Sequence, residues 1–158
     1  MMDNEFMTMA LNLAKEAATE GEVPVGAVIV KDGRVIATGR NRREMGKNAL
    51  AHAELEAIDG ACKALGGWRL WECELYVTLE PCPMCAGALI NARMRRVVYG
   101  APDAKAGSCG SKIDLFAAGY NHRPVCESGV LADESAALLR AFFADLRRRS
   151  AAKGEDKS

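Results

Sequence analysis

The chain has 158 residues and a mass of 16.9 kDa, which fits one domain able to bury about 70% of its unfolded surface without disulfide staples. Apolar residues make up 49%, no apolar run approaches the ~20 residues of a membrane span, and Met1-Met2-Asp3-Asn4-Glu5 lacks the basic start of a secretory signal, so a cytoplasmic protein without membrane association is expected. Lys plus Arg and Asp plus Glu both number 21; the zero net charge offers no global attraction to a polyanion, yet local clusters still act over roughly 8–10 Å.

Phe6, Met9, Ala10, Leu13, Ala14 and Ala17 recur at helical spacing and Gly21 supplies a stop, which predicts an amphipathic helix over residues 4–20. Val25 to Val30 is an apolar run, Asp32-Gly33 a tight-turn dipeptide and Val35-Ile36-Ala37 a second run, together a β-hairpin. Residues 40–51 are polar and predict a loop. His52 to Leu65, with Leu55, Ile58 and Cys62 on one face and Gly66-Gly67 behind them, predicts a second helix. Glu74 to Leu79 predicts a strand and Pro81 the start of a helix to about Arg93. Arg96 to Gly100 then reads as a strand returned parallel by that helix, as in a βαβ unit. After a small-residue loop over 101–111, Lys112 to Ala118 predicts a short helix and Val125 to Glu127 a weaker strand. Asp133 to Arg149 predicts a last helix with Leu138, Leu139, Phe142, Phe143 and Leu146 as its apolar stripe. No internal repeat or linker is visible, so residues 1–149 are expected to form one domain and 150–158 a disordered tail. A mixed sheet between helices, an α/β architecture, follows.

Charge is unevenly placed. Residues 1–22 carry Asp3, Glu5, Glu16, Glu20 and Glu22 against Lys15 alone, whereas Arg42 and Arg43, Arg93, Arg95 and Arg96, and Arg147, Arg148 and Arg149 form three basic clusters. Each cluster is either a local phosphate-binding face or a solvated end of an element.

Six cysteines invite a disulfide framework, but the lack of an export signal and a Cys-x-x-Cys spacing beside His-Ala-Glu argue for metal chemistry. Cys62, Cys73 and Cys126 read as small buried hydrophobes, and Cys109 as a residue of a Gly/Ser-rich loop where exposure is expected. The informative constellation is His52-Ala53-Glu54 followed by Pro81-Cys82-Pro83-Met84-Cys85. One imidazole and two thiolates can grip a zinc ion with three protein ligands and leave the fourth position to water, the mark of a catalytic site. Cys82 and Cys85, three apart, share one face in the first turn of a helix, where the positive end of the macrodipole favours thiolate. His52 opens the preceding helix in the same way. Zinc lowers the pKa of bound water towards about 7, and Glu54, not itself a ligand, can take the proton of that water and pass it on. On a regular helix, however, residues two apart point about 200° apart, so spacing alone does not put His52 and Glu54 in one pocket. Two blander readings stand beside this one: a four-ligand structural zinc completed by His122 or Cys109, and Glu54 as a solvated helix residue.

The His-x-Glu…Pro-Cys-x-x-Cys pattern resembles the signature of zinc deaminases of nucleobases. Val23 to Val28, Asn41, Thr78 to Ala88, Asp103-Ala104-Lys105, Asn121-His122-Arg123, Gly129 to Glu134 and Phe142-Phe143 resemble the bacterial tRNA-specific adenosine deaminases, a likeness running from about residue 5 to 149. The resemblance implies a cytidine deaminase-like, three-layer α/β/α fold with a mixed sheet flanked by helices. It implies one Zn2+ per subunit on His52, Cys82 and Cys85, a homodimer, and hydrolysis of the wobble adenosine in a tRNA anticodon stem-loop to inosine with Glu54 as proton shuttle. It puts Glu54 and His52 at one pocket, gives Asn41 and the Ala53 backbone N–H to the target base, and gives Asp103 to the sugar–phosphate chain. His122, Arg147 and Arg148 become RNA contacts. A turn-forming Asn, a loop-capping Asp and a solvated helix end are the alternatives. The rival enzyme is a zinc deaminase of a free nucleobase or nucleoside, of guanine or cytosine type. The rival of a different class is a non-catalytic, zinc-stabilised RNA-binding module.

Overall fold

Apolar side chains occupy both alternating sets along the inner strands, so the sheet needs cover on both faces. The structure is a computed structural model and describes residues 2–156. Its elements are α1 (Met2–Thr19), β1 (Gly26–Lys31), β2 (Arg34–Arg40), α2 (Ala53–Leu65), β3 (Cys73–Leu79), α3 (Pro83–Asn91), β4 (Arg96–Ala101), a 3-10 turn (Leu115–Ala117), β5 (Val125–Ser128) and α4 (Ala132–Asp156). One five-stranded sheet has the order β2-β1-β3-β4-β5. β1 runs antiparallel to β2 and β3, while β3, β4 and β5 are parallel. Ala27, Ile29, Leu75, Val77 and Val97 pack under α2 and α3, and Val28, Val30, Tyr76 and Val98 pack under Phe6, Met7 and Ala10 of α1. This is the three-layer α/β/α arrangement with a mixed sheet that the resemblance implied. No helix among the described residues is long and apolar enough to cross a membrane.

The Asp32-Gly33 hairpin forms as expected, both residues at positive φ (52° and 74°) as a type I′ turn requires. The acidic first helix is tied to later basic residues. Asp3 takes Arg96 at 2.7 Å, and Arg40 Nε donates to Glu20 at 2.6 Å.

Several expectations need correction. α3 begins at Pro83, not Pro81, because Cys82 precedes a proline and is therefore held extended (φ −75°, ψ 174°). The face that α2 buries is Ala53, Ala57 and Ala61, with Ile58 and Cys62 only partly buried. Gly39 of β2 explains this, since small residues are needed where strand and helix backbones touch. The helix expected over 112–118 shrinks to the 3-10 turn. The last helix runs on to Asp156, so residues 150–156 are helical rather than a disordered tail; 157–158 lie outside the described residues. Cys126 is exposed because β5 is an edge strand with no helix over it, and Cys109 is buried.

Candidate zinc centre and cleft

β3 and β4 are adjacent and parallel, and a crevice opens beyond their C-terminal ends. The β3 end delivers Glu80, Pro81 and Cys82; the β4 end delivers Pro102 and Asp103; α2 points its N-terminus into the same space. The cleft holds about 520 Å³, within the range of small-molecule pockets, and His52, Glu54, Cys82, Asn41 and Asp103 all line it.

His52 and Cys82 are both N-cap residues with extended backbone, at the starts of α2 and α3. Two helix N-termini therefore converge where two thiolates are needed. His52 Nδ1 lies 3.7 Å from Cys82 Sγ and 3.5 Å from Cys85 Sγ. In a tetrahedral site with Zn–S near 2.3 Å and Zn–N near 2.0–2.1 Å, an imidazole nitrogen and a thiolate sulfur stand about 3.6 Å apart. The three residues thus fit zinc by spacing as well as by chemistry, and no disulfide joins the cysteines. Among the described residues no other His, Cys, Asp or Glu joins this cluster. The candidates for a fourth, structural ligand are engaged elsewhere: His122 Nε2 donates to the Met94 carbonyl at 2.7 Å, and Cys109 sits beside Cys126. Three protein ligands and no fourth is the catalytic pattern.

Hydrogen bonds from the Cys85 thiol and His52 lower the Cys82 pKa to about 4, and the hydrogen bond to Cys82 raises that of His52. Glu54 is 4% exposed, and burial pushes its carboxyl up to about 7. A carboxyl poised there can accept and return a proton near neutrality. The 200° objection to pairing His52 with Glu54 disappears because His52 is not a helical residue; its extended backbone turns the ring back towards the cleft.

The proposed ligand contacts divide. Asn41 is buried, and its Oδ1 accepts the Ala53 N–H at 3.1 Å, so that amide serves the α2 N-terminus and Asn41 keeps its NH2 group for the cleft. Asp103 Oδ1 caps its own turn, accepting from Lys105 N (3.0 Å) and Ala106 N (3.3 Å). His122 is not at the cleft of this chain. Arg147 and Arg148 are exposed on α4 beyond Leu139 and Phe143, the residues of that helix that do reach the cleft. Of the basic clusters only Arg43 lines the cleft; Arg42 pairs with Glu56, and Arg95 and Arg96 pair with Glu74. Phe143 and Glu80 also line the cleft, although the sequence assigns neither a role there: Phe143 belongs to the apolar stripe of the last helix and to a segment of the resemblance, and Glu80, within another such segment, is a lone charge at the end of an apolar strand.

Fold and site together define a zinc-dependent deaminase. Residues 1–101 match the cytidine and deoxycytidylate deaminase zinc-binding region. The tRNA-specific adenosine deaminase of Bacillus subtilis (strain 168) is 47% identical over 99% of this chain and 98% of its own length. A structure from studies of A-to-I editing by tRNA:A34 deaminases at the wobble position superposes with a TM-score of 0.83 and 48% identity, over 85% of this chain and 99% of that one. Guanine deaminase from Bacillus subtilis superposes with a TM-score of 0.61 and 45% identity, over 71% of each chain. The chain belongs to the tRNA-specific adenosine deaminase family.

Proposed function

We propose that this chain hydrolyses the wobble adenosine of a tRNA anticodon loop to inosine and ammonia, consuming one water. The observation that carries the reading is a buried carboxyl, Glu54, beside a three-ligand His/Cys/Cys triad but outside it. His52, Cys82 and Cys85 would hold one zinc per chain, and the chemistry it would supply is a water made acidic enough, with a pKa towards about 7, to serve as nucleophile at neutral pH. Glu54 would accept a proton from the attacking water and pass it to the purine ring nitrogen, then carry the proton of the new C6 hydroxyl to the amino group, so that the C6–N bond breaks, the C6 carbonyl forms and ammonia leaves. Asn41 and Asp103 line the cleft where they can hold the base and its sugar–phosphate chain, with Phe143 as an apolar wall. An unpaired loop base enters such a cleft at little unstacking cost, which suits an anticodon loop. Arg147 and Arg148, exposed on α4, extend the contact along the RNA.

The protein acts as a cytoplasmic homodimer in this reading. Support comes from a shallow apolar face beside α3, where Leu50 and Tyr120 are 58% and 60% exposed next to Leu55, Met84 and Leu115. A second copy seated there would adjoin the helix that carries Cys85 and is capped by Cys82.

The likeness to guanine deaminase keeps free-base deamination as the competing reading. Purified protein incubated with tRNA and, separately, with adenosine, guanine and cytosine decides between them. Inosine in tRNA alone is expected; turnover of a free base with untouched tRNA rejects the proposal. Equal, background-level ammonia release from wild type and Glu54→Ala would instead indicate a binding module.

A further inference from the structure

We infer that Glu80 is a positioning residue: its buried carboxylate holds the loop after β4 as the substrate-facing wall of the cleft. The inference rests on the deaminase reading of that cleft.

Glu80 is 2% exposed and stands two residues before Cys82. Its carboxylate accepts four hydrogen bonds, all from residues 103–111. Oε1 takes the Asp103 amide (3.1 Å) and the Ser111 hydroxyl, and Oε2 takes the amides of Cys109 (3.0 Å) and Ser111 (3.1 Å). The loop therefore folds around this one carboxyl group, much as backbone amides nest around a bound anion. Gly107 shows how close the fit is, because a Cβ there would overlap both the Asp103 carbonyl and the Glu80 carboxylate. Two main-chain bonds complete the weld: Ser108 N to Pro81 O and Glu80 N to Ala101 O, both 2.9 Å.

The consequence is functional because residues Pro102 to Ala106 of this loop line the cleft with His52, Glu54 and Glu80 itself. One side chain thereby sets the distance between the wall carrying Asp103 and the strand end carrying Cys82. A carboxylate suits the task since it offers two acceptor oxygens and no donor. Glutamine keeps the shape but turns one of those oxygens into an NH2 group facing donors, so it should release part of the loop without emptying the space.

The test compares wild type, Glu80→Gln and the milder Ser111→Ala, which loses only the hydroxyl donor. Zinc content, hydrogen exchange of the 102–112 segment, and kcat and KM on an anticodon stem-loop hairpin with adenosine at the wobble position are measured. Expected for Glu80→Gln are wild-type zinc content, faster exchange at Asp103, Cys109 and Ser111, KM raised on the order of tenfold and kcat changed less than about threefold. Ser111→Ala moves the same quantities by less. Adding Asp103→Ala to Glu80→Gln should cost less than the two separate effects combined, since both act through one wall. Unchanged exchange and KM would overturn the inference, as would loss of zinc from Glu80→Gln, which would place its action on Cys82 instead. Exchange and zinc content need no turnover, so a wild type inert on RNA would sink the deaminase reading and leave this result separately readable.

Discussion

A Cβ on Gly39 would overlap the carbonyl oxygen of Ala53 and stand 2.9 Å from the Ala57 amide nitrogen, so β2 and the first turn of α2 touch backbone to backbone. That turn carries Glu54 and is capped by His52. Gly39→Ala should therefore force α2 away from the sheet, costing about 1–3 kcal/mol or more of stability and weakening zinc affinity. Gly67→Ala is the control, because an added methyl there meets nothing within 4 Å. It should stay within about 0.5 kcal/mol of wild type in thermal unfolding.

Glu54→Gln separates proton transfer from metal binding. The carboxyl lies outside the cluster formed by His52, Cys82 and Cys85. Zinc content should remain at the wild-type level while the single-turnover rate of inosine formation falls about 10²–10⁴-fold. Loss of zinc in this variant would show that Glu54 is a ligand and remove its proposed role.

His52→Ala tests the triad itself. Its ring nitrogen stands 3.7 and 3.5 Å from the two sulfurs, so removing it leaves two protein ligands. In wild type, zinc at 100 times its dissociation constant should add about 2.7 kcal/mol of stability. His52→Ala should show little of that gain, and a chelator should abolish activity in wild type until zinc is restored.

Acid should loosen the link between α1 and the sheet. The Arg96 hydrogen bond, with help from Tyr76, holds the Asp3 carboxyl below its ordinary value of 3.8. A group whose folded pKa is lowered contributes stability that is present above the unfolded value and lost as pH falls through the folded one. Asp3→Asn should be less stable than wild type at pH 7 by about 1 kcal/mol, a figure discounted for the partial exposure of the pair. The gap should begin to close in urea titrations below pH 3.8 and shrink further as pH falls through the lowered folded-state value. A gap that persists unchanged there would mean that Asp3 acts by packing and not by charge.

Thiol reactivity should follow exposure. Cys126 is exposed on the edge strand, and a hydrogen bond from Cys109 lowers its pKa, whereas Cys109 and Cys73 are buried with raised values. Iodoacetamide on zinc-loaded protein should modify Cys126 first and leave Cys109 and Cys73 intact; chelation should then expose Cys82. First labelling at Cys109 would contradict the packing of the 103–111 loop around Glu80.

The strands, the hairpin turn and the zinc triad were legible in the sequence because each is written in local chemistry. Short apolar runs bounded by turn residues declare strands, Asp32-Gly33 declares a turn that needs positive φ, and an imidazole with two thiols three apart declares a group able to hold a metal. The start of α3 is also written there, in the proline after Cys82 that holds this cysteine extended. The buried face of α2 is harder to see, because its apolar residues are alanines, which look neutral until Gly39 is brought beneath them.

What the sequence by itself determined is the inventory: which residues can hold zinc, which carboxyl can move a proton, and which segments pair into a sheet. Only the tertiary structure decided how they face one another. The extended backbone of His52 turns its ring to the side that Glu54 occupies, burial sets the proton affinity of that carboxyl, and the fold gathers amides from three loop positions around Glu80. It also brought Phe143 of the last helix to the cleft. Side-chain direction and desolvation depend on neighbours distant along the chain, and linear spacing carries neither.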